Sequence, residues 1–314
     1  MLVIKTVIPK HRDSCFSDIV SLALDAFLQT QMKNMIFFAG TKSMSILLSK
    51  PSAVLSDFVK QYWFIDSVVS DDARYMQRIV PSGLPELMFF QGSRPSVVES
   101  GRNLESDAVI SGHHKSFFDF QITDSFSLFA VTFQPHGLRV FFDVPGSEFQ
   151  NNKVPLRLLL KEEASEIEER IASETDFCGK VNWIETYLLK QLRKRSEWYE
   201  FKRLDYCLGG LIRKKGLISV EELASQAFLS RKQFERKFSD FVGTSPKLYL
   251  RIVRFQNAIH QKAVNPHLNM TELAYGCGFY DQSHMVNEFK KLSGLTPKEY
   301  FSVCEPVSDL YRVY

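Results

Sequence analysis

Between residues 36 and 150 the chain carries short apolar or alternating runs that are separated by proline and glycine. The runs are Ile36–Phe38, Met44–Leu48, Phe58–Ile65, Leu87–Phe90, Ala108–Ile110, Phe117–Ile122 and Leu128–Phe133. Many short runs at roughly regular spacing are typical of the strands of a β-sandwich or a barrel. The pattern therefore predicts a β-rich domain, and it leaves open whether Phe58–Ile65 is a strand or a helix that runs into one.

From residue 155 to 195 the apolar positions recur at the spacing of an α-helix. The first predicted helix has a glutamate-rich face and an opposite apolar stripe, which consists of Leu160, Ala164, Ile167 and Ile171. This stripe can bury against the β-rich domain or against a second subunit, and we favour burial within the chain. A second helix is predicted over Lys180–Lys194, so the β-rich domain with its C-terminal helices spans residues 36–195.

The length of 314 residues is enough for about two domains. An apolar fraction of 45% and a charged fraction of 24% are those of an ordinary globular protein. Residues 1–35 form an N-terminal extension that the pattern leaves without a role, although residues 16–31 have the spacing of a short amphipathic helix.

Residues 217–250 and 268–301 repeat one pattern. Glu222-Leu-Ala recurs 50 positions later as Glu272-Leu-Ala, whereas Phe238, Gly243, Pro246 and Tyr249 recur 51 positions later. The alignment also pairs Phe228 with Phe279, which places a one-residue insertion between Ala274 and Phe279. Two copies that keep register over about 30 residues indicate a duplicated supersecondary unit.

Each copy contains the start and stop signals of two short helices. Ser219 with Glu222 and Ser230 with Gln233 have the capping-box spacing, and Asn269 and Asp281 are the corresponding N-caps of the second copy. The segments that begin at Gly243 and Gly294 end the second helix of each copy. The pattern predicts two helix-turn-helix units, at about residues 219–243 and 269–294, with a linker helix over 246–262 and a tail over 302–314.

The second helix of each unit presents polar side chains away from its apolar face, as a helix that lies in a major groove of DNA does. The side chains expected to face base edges are Arg231, Lys232, Glu235, Arg236, Gln282, Ser283, His284 and Asn287. Those expected to face phosphate groups are Ser230, Lys237, Lys290 and Lys291. Glu235 is the ambiguous member, because it can accept from a cytosine amine, orient Arg236, or do neither.

The charge distribution agrees with this interpretation. The whole chain has a net charge of only +3, but residues 196–301 hold 16 Lys and Arg against 11 Asp and Glu, a net charge of +5. The rest of the chain then carries −2. The positive charge is therefore concentrated in the duplicated region, where a nucleic-acid partner would need it.

The duplicated region resembles the AraC/XylS family of bacterial transcription regulators. The residues that carry the resemblance are Glu221-Glu-Leu-Ala, Ser230-Arg-Lys-Gln-Phe-Glu-Arg-Lys-Phe, Gly243-Thr-Ser-Pro-Lys-Leu-Tyr, Gly278-Phe-Tyr-Asp-Gln-Ser-His, Phe289-Lys-Lys and Gly294-Leu-Thr-Pro-Lys-Glu-Tyr. The resemblance covers about residues 200–301 and implies two recognition helices that enter successive major grooves on one face of the DNA. One departure is Asn287, which stands where many members have a basic residue.

Segments of the β-rich region resemble the N-terminal domain of one subgroup of the same family. These segments are Pro51–Ile65, Pro81–Phe89 and Phe133–Pro145. The resemblance implies a cupin-like β-rich domain followed by helices, which senses a small molecule or mediates dimerisation. The fold class expected for the chain is therefore α+β and multidomain, with an all-α tandem helix-turn-helix domain at the C-terminal end.

His113, His114 and His136 are the residues that could suggest a cupin metal site. Adjacent residues on a strand point to opposite faces of the sheet, and the usual His-x-His spacing with a later acidic residue is absent. The five cysteines are scattered without a CxxC pair, which fits a reducing compartment, and we expect Cys277 to be a small buried residue. We therefore expect no metal and no cofactor.

No apolar run approaches the roughly 18 residues that a membrane-spanning helix needs, so we expect a cytoplasmic protein without a membrane partner. The expected function is sequence-specific transcription regulation without enzymatic activity. The expected partners are double-stranded promoter or operator DNA, RNA polymerase, a small-molecule effector, and a second copy in a homodimer. Two alternatives stay open: a cupin-type metal-dependent enzyme fused to a DNA-binding module, and a ligand-independent architectural DNA-binding protein.

Overall fold

A computed structural model describes residues 3–6, 41–69, 75–98, 102–104, 106–122, 124–194 and 198–303. The helix predicted over residues 16–31 and the run Ile36–Phe38 lie outside these ranges. So does most of the predicted tail.

The N-terminal half of the described chain is made of strands. They are β1 Val3–Thr6, β2 Thr41–Ser49, β3 Val59–Val69, β4 Tyr75–Ile79, β5 Glu86–Gly92, β6 Ser96–Val97, β7 Arg102–Asn103, β8 Ala108–Ser111, β9 Phe118–Ile122, β10 Phe126–Phe133 and β11 Lys153–Pro155. Residues 59–65 of the run Phe58–Ile65 lie in β3 and Phe58 directly precedes this strand, so the strand alternative is the correct one. The other predicted runs within the described residues also contribute to strands.

The strands form two sheets. The larger has the order β1-β2-β3-β10-β5-β8-β11, in which only the β1–β2 pair is parallel, and the smaller has the order β4-β9-β6-β7. Lys153 of β11 links the sheets, because its ammonium group lies 3.5 Å from the ring centroid of Phe118 in β9. The prediction of a β-rich N-terminal domain is confirmed.

Helices follow the strands, as the change of apolar period predicted. They are α1 Gly137–Phe141, α2 Leu156–Leu160, α3 Glu162–Ser173, α4 Phe177–Leu192, α5 Trp198–Arg213, α6 Val220–Gln226, α7 Arg231–Val242, α8 Pro246–Val264, α9 Met270–Gly276, α10 Gln282–Ser293 and α11 Pro297–Val303. A short 3₁₀ helix, Gly146–Phe149, lies between α1 and β11.

Strand β10 shows how the alternation of side chains builds two cores. Phe129 and Val131 point to one face of the large sheet and join the main core, whereas Leu128 and Ala130 point to the other face and join a smaller cluster with Met88. On the first face, Ala164, Ile167 and Ile171 of α3 are buried in the same core, which confirms burial of this stripe within the chain.

The main core continues from the β-rich domain into the first helix-turn-helix unit. Phe58 beside β3 stacks on Phe201 of α5 with ring centroids 4.8 Å apart, and Phe238 of α7 belongs to the same cluster. The backbones also touch: a Cβ atom built on Gly146 would lie 2.7 Å from the amide nitrogen of Gly243. Two backbones this close leave no room for a side chain between them, so the first unit packs tightly against the β-rich domain.

The second helix-turn-helix unit also contacts the β-rich domain, through both polar and apolar groups. Gln256 of α8 donates a buried hydrogen bond of 2.8 Å to the Pro81 carbonyl, and Arg78 of β4 donates one of 3.2 Å to the Ser293 carbonyl. The apolar part of this contact includes Val80 and Phe117.

Two buried histidines lie where the β-rich domain meets the helices. His113 stacks edge-on against Tyr249 of α8, and burial lowers the pKa of its imidazole to about 4. His136 stacks on Phe201, and burial lowers its pKa to about 3. The Nε2 atom of His136 lies 3.5 Å from Oδ1 of Asp205, but burial keeps the ring neutral, so this contact is no ion pair at neutral pH.

We predict that Gly146→Ala lowers the free energy of unfolding by about 1–3 kcal/mol, because the added methyl group collides with the Gly243 backbone. Urea unfolding measures the change. Gly276→Ala is the matched control, since nothing lies within 4 Å of a Cβ atom at that helical position. An equal effect of the two substitutions would contradict the predicted collision.

The buried histidines predict a loss of stability at acid pH. The unfolded chain takes up their protons near pH 6.5, whereas the folded chain does so only near pH 4 and 3. The unfolded state therefore binds more protons within this window, and each histidine lowers the free energy of unfolding by about 1.4 kcal/mol per pH unit as the pH falls from 6.5.

Denaturant unfolding between pH 8 and pH 5 tests this prediction. We expect a shallower acid slope for His136→Leu, which removes one of the two groups, and an unchanged slope for the exposed control His267→Leu. A wild-type slope in His136→Leu would show that this histidine is not buried as a neutral ring.

Candidate nucleic-acid interface

The first helix-turn-helix unit consists of α6 and α7, and both helices begin with a capping box. The Ser219 hydroxyl accepts from the Glu222 amide, and the Glu222 carboxylate accepts from the Ser219 amide at 2.8 Å. Ser230 and Gln233 form the same reciprocal pair at the start of α7. These bonds satisfy amide groups that the helices leave open, and they fix where the recognition helix α7 begins.

The second unit consists of α9 and α10, and its caps are equivalent. Asn269 and Glu272 form a capping box, and Oδ1 of Asp281 accepts from the His284 amide at 2.7 Å. The recognition helices α7 and α10 both end at a glycine with left-handed backbone, Gly243 with a φ of 87° and Gly294 with a φ of 76°. The predicted caps and stops of both units are therefore confirmed.

The predicted alignment of the two turns is wrong. The amides of Phe228 and Leu229 bond to the carbonyls of Ser225 and Ala224, and the amides of Gly278 and Phe279 bond in the same way to the carbonyls 50 positions later. Leu229 is thus the counterpart of Phe279. The extra residue of the second unit is Tyr280, which follows the turn instead of preceding Phe279.

Burial explains the misalignment. Phe279 is only 4% exposed and anchors the second turn in the core, whereas Phe228 is 90% exposed. Matching two phenylalanines by residue type therefore paired a core residue with a surface residue. The left-handed backbone at both Phe228 and Gly278, with φ values of 53° and 74°, marks the true equivalence.

On the first recognition helix, Arg231 and Glu235 bind each other. The Nε atom of Arg231 lies 3.0 Å from Oε1 of Glu235, and Arg231 also pairs with Glu221 of α6. Glu235 thus contacts Arg231 and not Arg236. Lys232 and Arg236 are exposed one helical turn apart, and neither has an ion pair with another described residue.

Lys237, expected to face a phosphate group, has a partner within the protein. Its Nζ atom lies 2.9 Å from Oε2 of Glu200 in α5. This pair could not be predicted from the sequence pattern, because the two residues are 37 positions apart. Lys237 would have to leave Glu200 to meet a phosphate group. Ser230, Lys290 and Lys291 are exposed, and the Nζ atom of Lys291 lies 3.8 Å from Oε1 of Glu288.

On the second recognition helix, Gln282, Ser283 and Asn287 are exposed. His284 is half-buried, and its Nδ1 atom accepts a hydrogen bond of 3.1 Å from the Tyr280 amide. Because Nδ1 is an acceptor, the neutral ring carries its proton on Nε2, which leaves Nε2 as a hydrogen-bond donor.

The linker helix α8 holds the second recognition helix by a charged pair that sequence reasoning missed. Nε of Arg251 lies 2.6 Å from Oε2 of Glu288, whose side chain is buried. The bond is bidentate, since Nη2 also donates to Oε1 at 3.2 Å. No motif or spacing joins these two residues, so only the fold reveals the pair.

The three histidines considered for a metal site have separate partners. His113 approaches the Pro135 carbonyl, His114 contacts the Ser111 hydroxyl, and His136 stacks on Phe201. Across the described residues there is no group of three or more His, Cys, Asp or Glu that could hold a metal ion. Nothing here supports the enzyme alternative.

Cys277 is 1% exposed in the second turn, and burial raises the pKa of its thiol to about 11. It is therefore the small buried residue that the sequence predicted, and a thiol of this kind is unreactive. In the part of the chain that the structure describes, no helix combines the length and the apolar character needed to cross a membrane.

Two family profiles match the chain. Residues 49–155 match a domain of unknown function (DUF6597), and residues 223–302 match a helix-turn-helix domain. The second match covers α7 to α10, the elements that carry the candidate interface.

Two curated relatives each match about a third of the chain or less. The probable transcriptional regulator LumQ of Photobacterium leiognathi is 32% identical over 107 residues, which are 34% of this chain and 42% of LumQ. The transcriptional activator RhaS of Salmonella arizonae is 32% identical over 79 residues, which are 25% of this chain and 28% of RhaS. The chain therefore spans less than half the length of these relatives.

Among solved structures, the DNA-binding domain of AdpA in complex with a target DNA is 24% identical with a TM-score of 0.30, covering 32% of this chain and 90% of that one. ToxT of Vibrio cholerae with a bound unsaturated fatty acid is 12% identical with a TM-score of 0.39, covering 85% and 96%. The repeated motifs, the duplicated capped units and the helix-turn-helix match give the C-terminal region the features of an AraC/XylS-type DNA-binding domain.

Proposed function

We propose that this chain is a sequence-specific transcription regulator that inserts α7 and α10 into two successive major grooves on one face of double-stranded DNA. The observation that carries the proposal is the duplication: both recognition helices have a fixed start and exposed polar side chains in their first turns. One linker helix joins the two units. A bacterial regulator of this kind would work in the cytoplasm, where its promoter or operator DNA is.

The spacing of the two units suits one turn of DNA. The 19 residues of α8 span about 28 Å at 1.5 Å per residue, and one turn of B-DNA is about 34 Å. The bidentate Arg251–Glu288 pair ties α10 to this helix, so the second recognition helix moves together with α8.

The exposed side chains divide into two roles. Lys232 and Arg236 suit the acceptor groups of guanine, while Gln282 and Asn287 suit adenine. Ser283 and the Nε2–H group of His284 are adaptable donors, and Arg231 with Glu235 forms a pair that would reorganise at the DNA surface. Ser230, Lys290 and Lys291 hold phosphate groups and set the affinity.

The β-rich domain would modulate DNA binding, because it contacts both units. A small-molecule effector, a second copy in a homodimer or RNA polymerase would act by favouring one arrangement of these contacts over another. A cleft of about 480 Å³ between β5 and α3 is large enough for a small molecule, and it is lined by groups that include Phe89, Asp107 and Glu168.

We predict that Arg236→Ala and Asn287→Ala each weaken sequence preference, because each removes a base contact. The difference in binding free energy between the DNA upstream of the protein's own gene and a scrambled duplex should fall by about 1–3 kcal/mol. Fluorescence anisotropy of the full-length protein measures both affinities. Arg193→Ala removes an exposed arginine from the end of α4 and is the matched control. The wild type is also tested on a site selected from random DNA. If it binds this site and a scrambled version of it equally, the result contradicts sequence-specific regulation.

A second prediction concerns salt. Lys290→Ala and Lys291→Ala should each lower the slope of log affinity against log salt concentration by about 1, with equal effects on specific and scrambled DNA, because a phosphate contact releases a counterion. Lys190→Ala, at an exposed position of α4, should leave the slope unchanged. If the lysine variants changed sequence preference but not the slope, their assignment to phosphate groups would be wrong.

A further inference from the structure

The turn of each helix-turn-helix unit carries one aromatic side chain that is almost fully exposed. Phe228 is 90% exposed and Tyr280 is 84% exposed, the two highest values among the exposed large apolar residues. Phe228 lies two residues before the N-cap Ser230, and Tyr280 lies directly before the N-cap Asp281. Both rings are therefore beside the first turn of a recognition helix, although they occupy different positions in the repeat.

The fold gains nothing from the Phe228 ring and tolerates an unfavourable backbone to present it. Its φ of 53° lies in the left-handed region, which disfavours any side chain with a Cβ atom. The second unit has Gly278 at the equivalent position, with a φ of 74°, which shows what this turn requires of the chain. A phenylalanine here costs stability relative to glycine, and its ring gains no burial in return.

Tyr280 is fixed to the recognition helix despite its exposure. Its amide donates to Nδ1 of His284, one of the base-facing side chains, and the next residue caps α10. As the extra residue of the second unit, Tyr280 brings a ring to the same end of the helix that Phe228 occupies in the first unit. Two different positions in the turn thus place an aromatic group at the N-terminal end of a recognition helix.

Position and charge select DNA as the partner of these rings. The N-terminal residues of a recognition helix are those that reach base edges in the major groove. Exposed Arg231 and Lys232 follow Phe228 closely, and Gln282 and Ser283 follow Tyr280. The apolar group that the major groove offers is the 5-methyl group of thymine, and an aromatic ring suits it because it is rigid and apolar.

We propose that Phe228 and Tyr280 are specificity-determining residues that pack against thymine methyl groups, one in each half-site. This inference rests on the proposed DNA-binding function and deepens it. It predicts a preference for thymine in each half-site, which contacts from arginine or asparagine would not produce. It also gives a role to the exposed phenylalanine that stands in the first turn where the second turn has Gly278.

Replacement of thymine by deoxyuridine tests the proposal, because it removes the methyl group alone. A site is first selected from random duplex DNA with the full-length protein. Each thymine of that site is then replaced in turn, and the affinities of the wild type, Phe228→Gly and Tyr280→Ala are measured by anisotropy. We expect deoxyuridine at one position of each half-site to weaken wild-type binding about fourfold, which corresponds to one buried methyl group.

Each variant should lose this discrimination in its own half-site and keep it in the other. Phe228→Gly should also melt at an equal or higher temperature, because glycine relieves the left-handed backbone. Lower affinity together with undiminished stability separates a DNA contact from a folding role. Tyr206→Ala, which truncates an exposed tyrosine of α5, should discriminate thymine from deoxyuridine as the wild type does.

If the variants keep the wild-type ratio of thymine to deoxyuridine affinity, or if no selected thymine shows discrimination, the inference is overturned while DNA binding stands. If Phe228→Gly weakens both duplexes equally, its ring contacts the sugar–phosphate backbone and does not read thymine. If the wild type selects no site at all and Arg236→Ala has no effect, the proposed function itself fails.

Discussion

The β-rich domain and the first helix-turn-helix unit bury their apolar side chains in one core, to which Phe133, Phe201 and Phe238 all belong. Separating them would expose these rings to water, and the free energy of apolar burial opposes that strongly. The contact between the Gly146 and Gly243 backbones adds a steric constraint at the end of α7. The position of the first recognition helix is therefore determined by the domain that precedes it.

The caps, stops and apolar stripes of the helices could be predicted because they depend on residues three to four positions apart. Ser219 with Glu222 and the Phe234–Phe238 pair are contacts of this local kind. Contacts between distant segments could not be predicted. Lys237 with Glu200 and Arg251 with Glu288 join residues 37 positions apart, and no local pattern distinguishes them from unpaired surface charges.

The error in the turn alignment has a different origin. Sequence comparison matched Phe228 with Phe279 because both are phenylalanines, but backbone hydrogen bonds match Phe279 with Leu229. A core position accepts any apolar residue of suitable size, so residue type is a weak guide to equivalence there. Backbone conformation is the stricter guide, and it pairs Phe228 with Gly278.

The two units differ in how they can respond to the β-rich domain. The first shares its main core, whereas the second is attached by the Gln256–Pro81 and Arg78–Ser293 hydrogen bonds and by an apolar contact that includes Val80 and Phe117. The net contribution of one hydrogen bond to stability is only about 1 kcal/mol, far less than that of a shared apolar core. Under the proposed function, a ligand or partner that alters the β4 edge would act on the second recognition helix before the first. If the two helices enter successive grooves, as we propose, such a displacement would change DNA affinity without any change in the residues that contact bases.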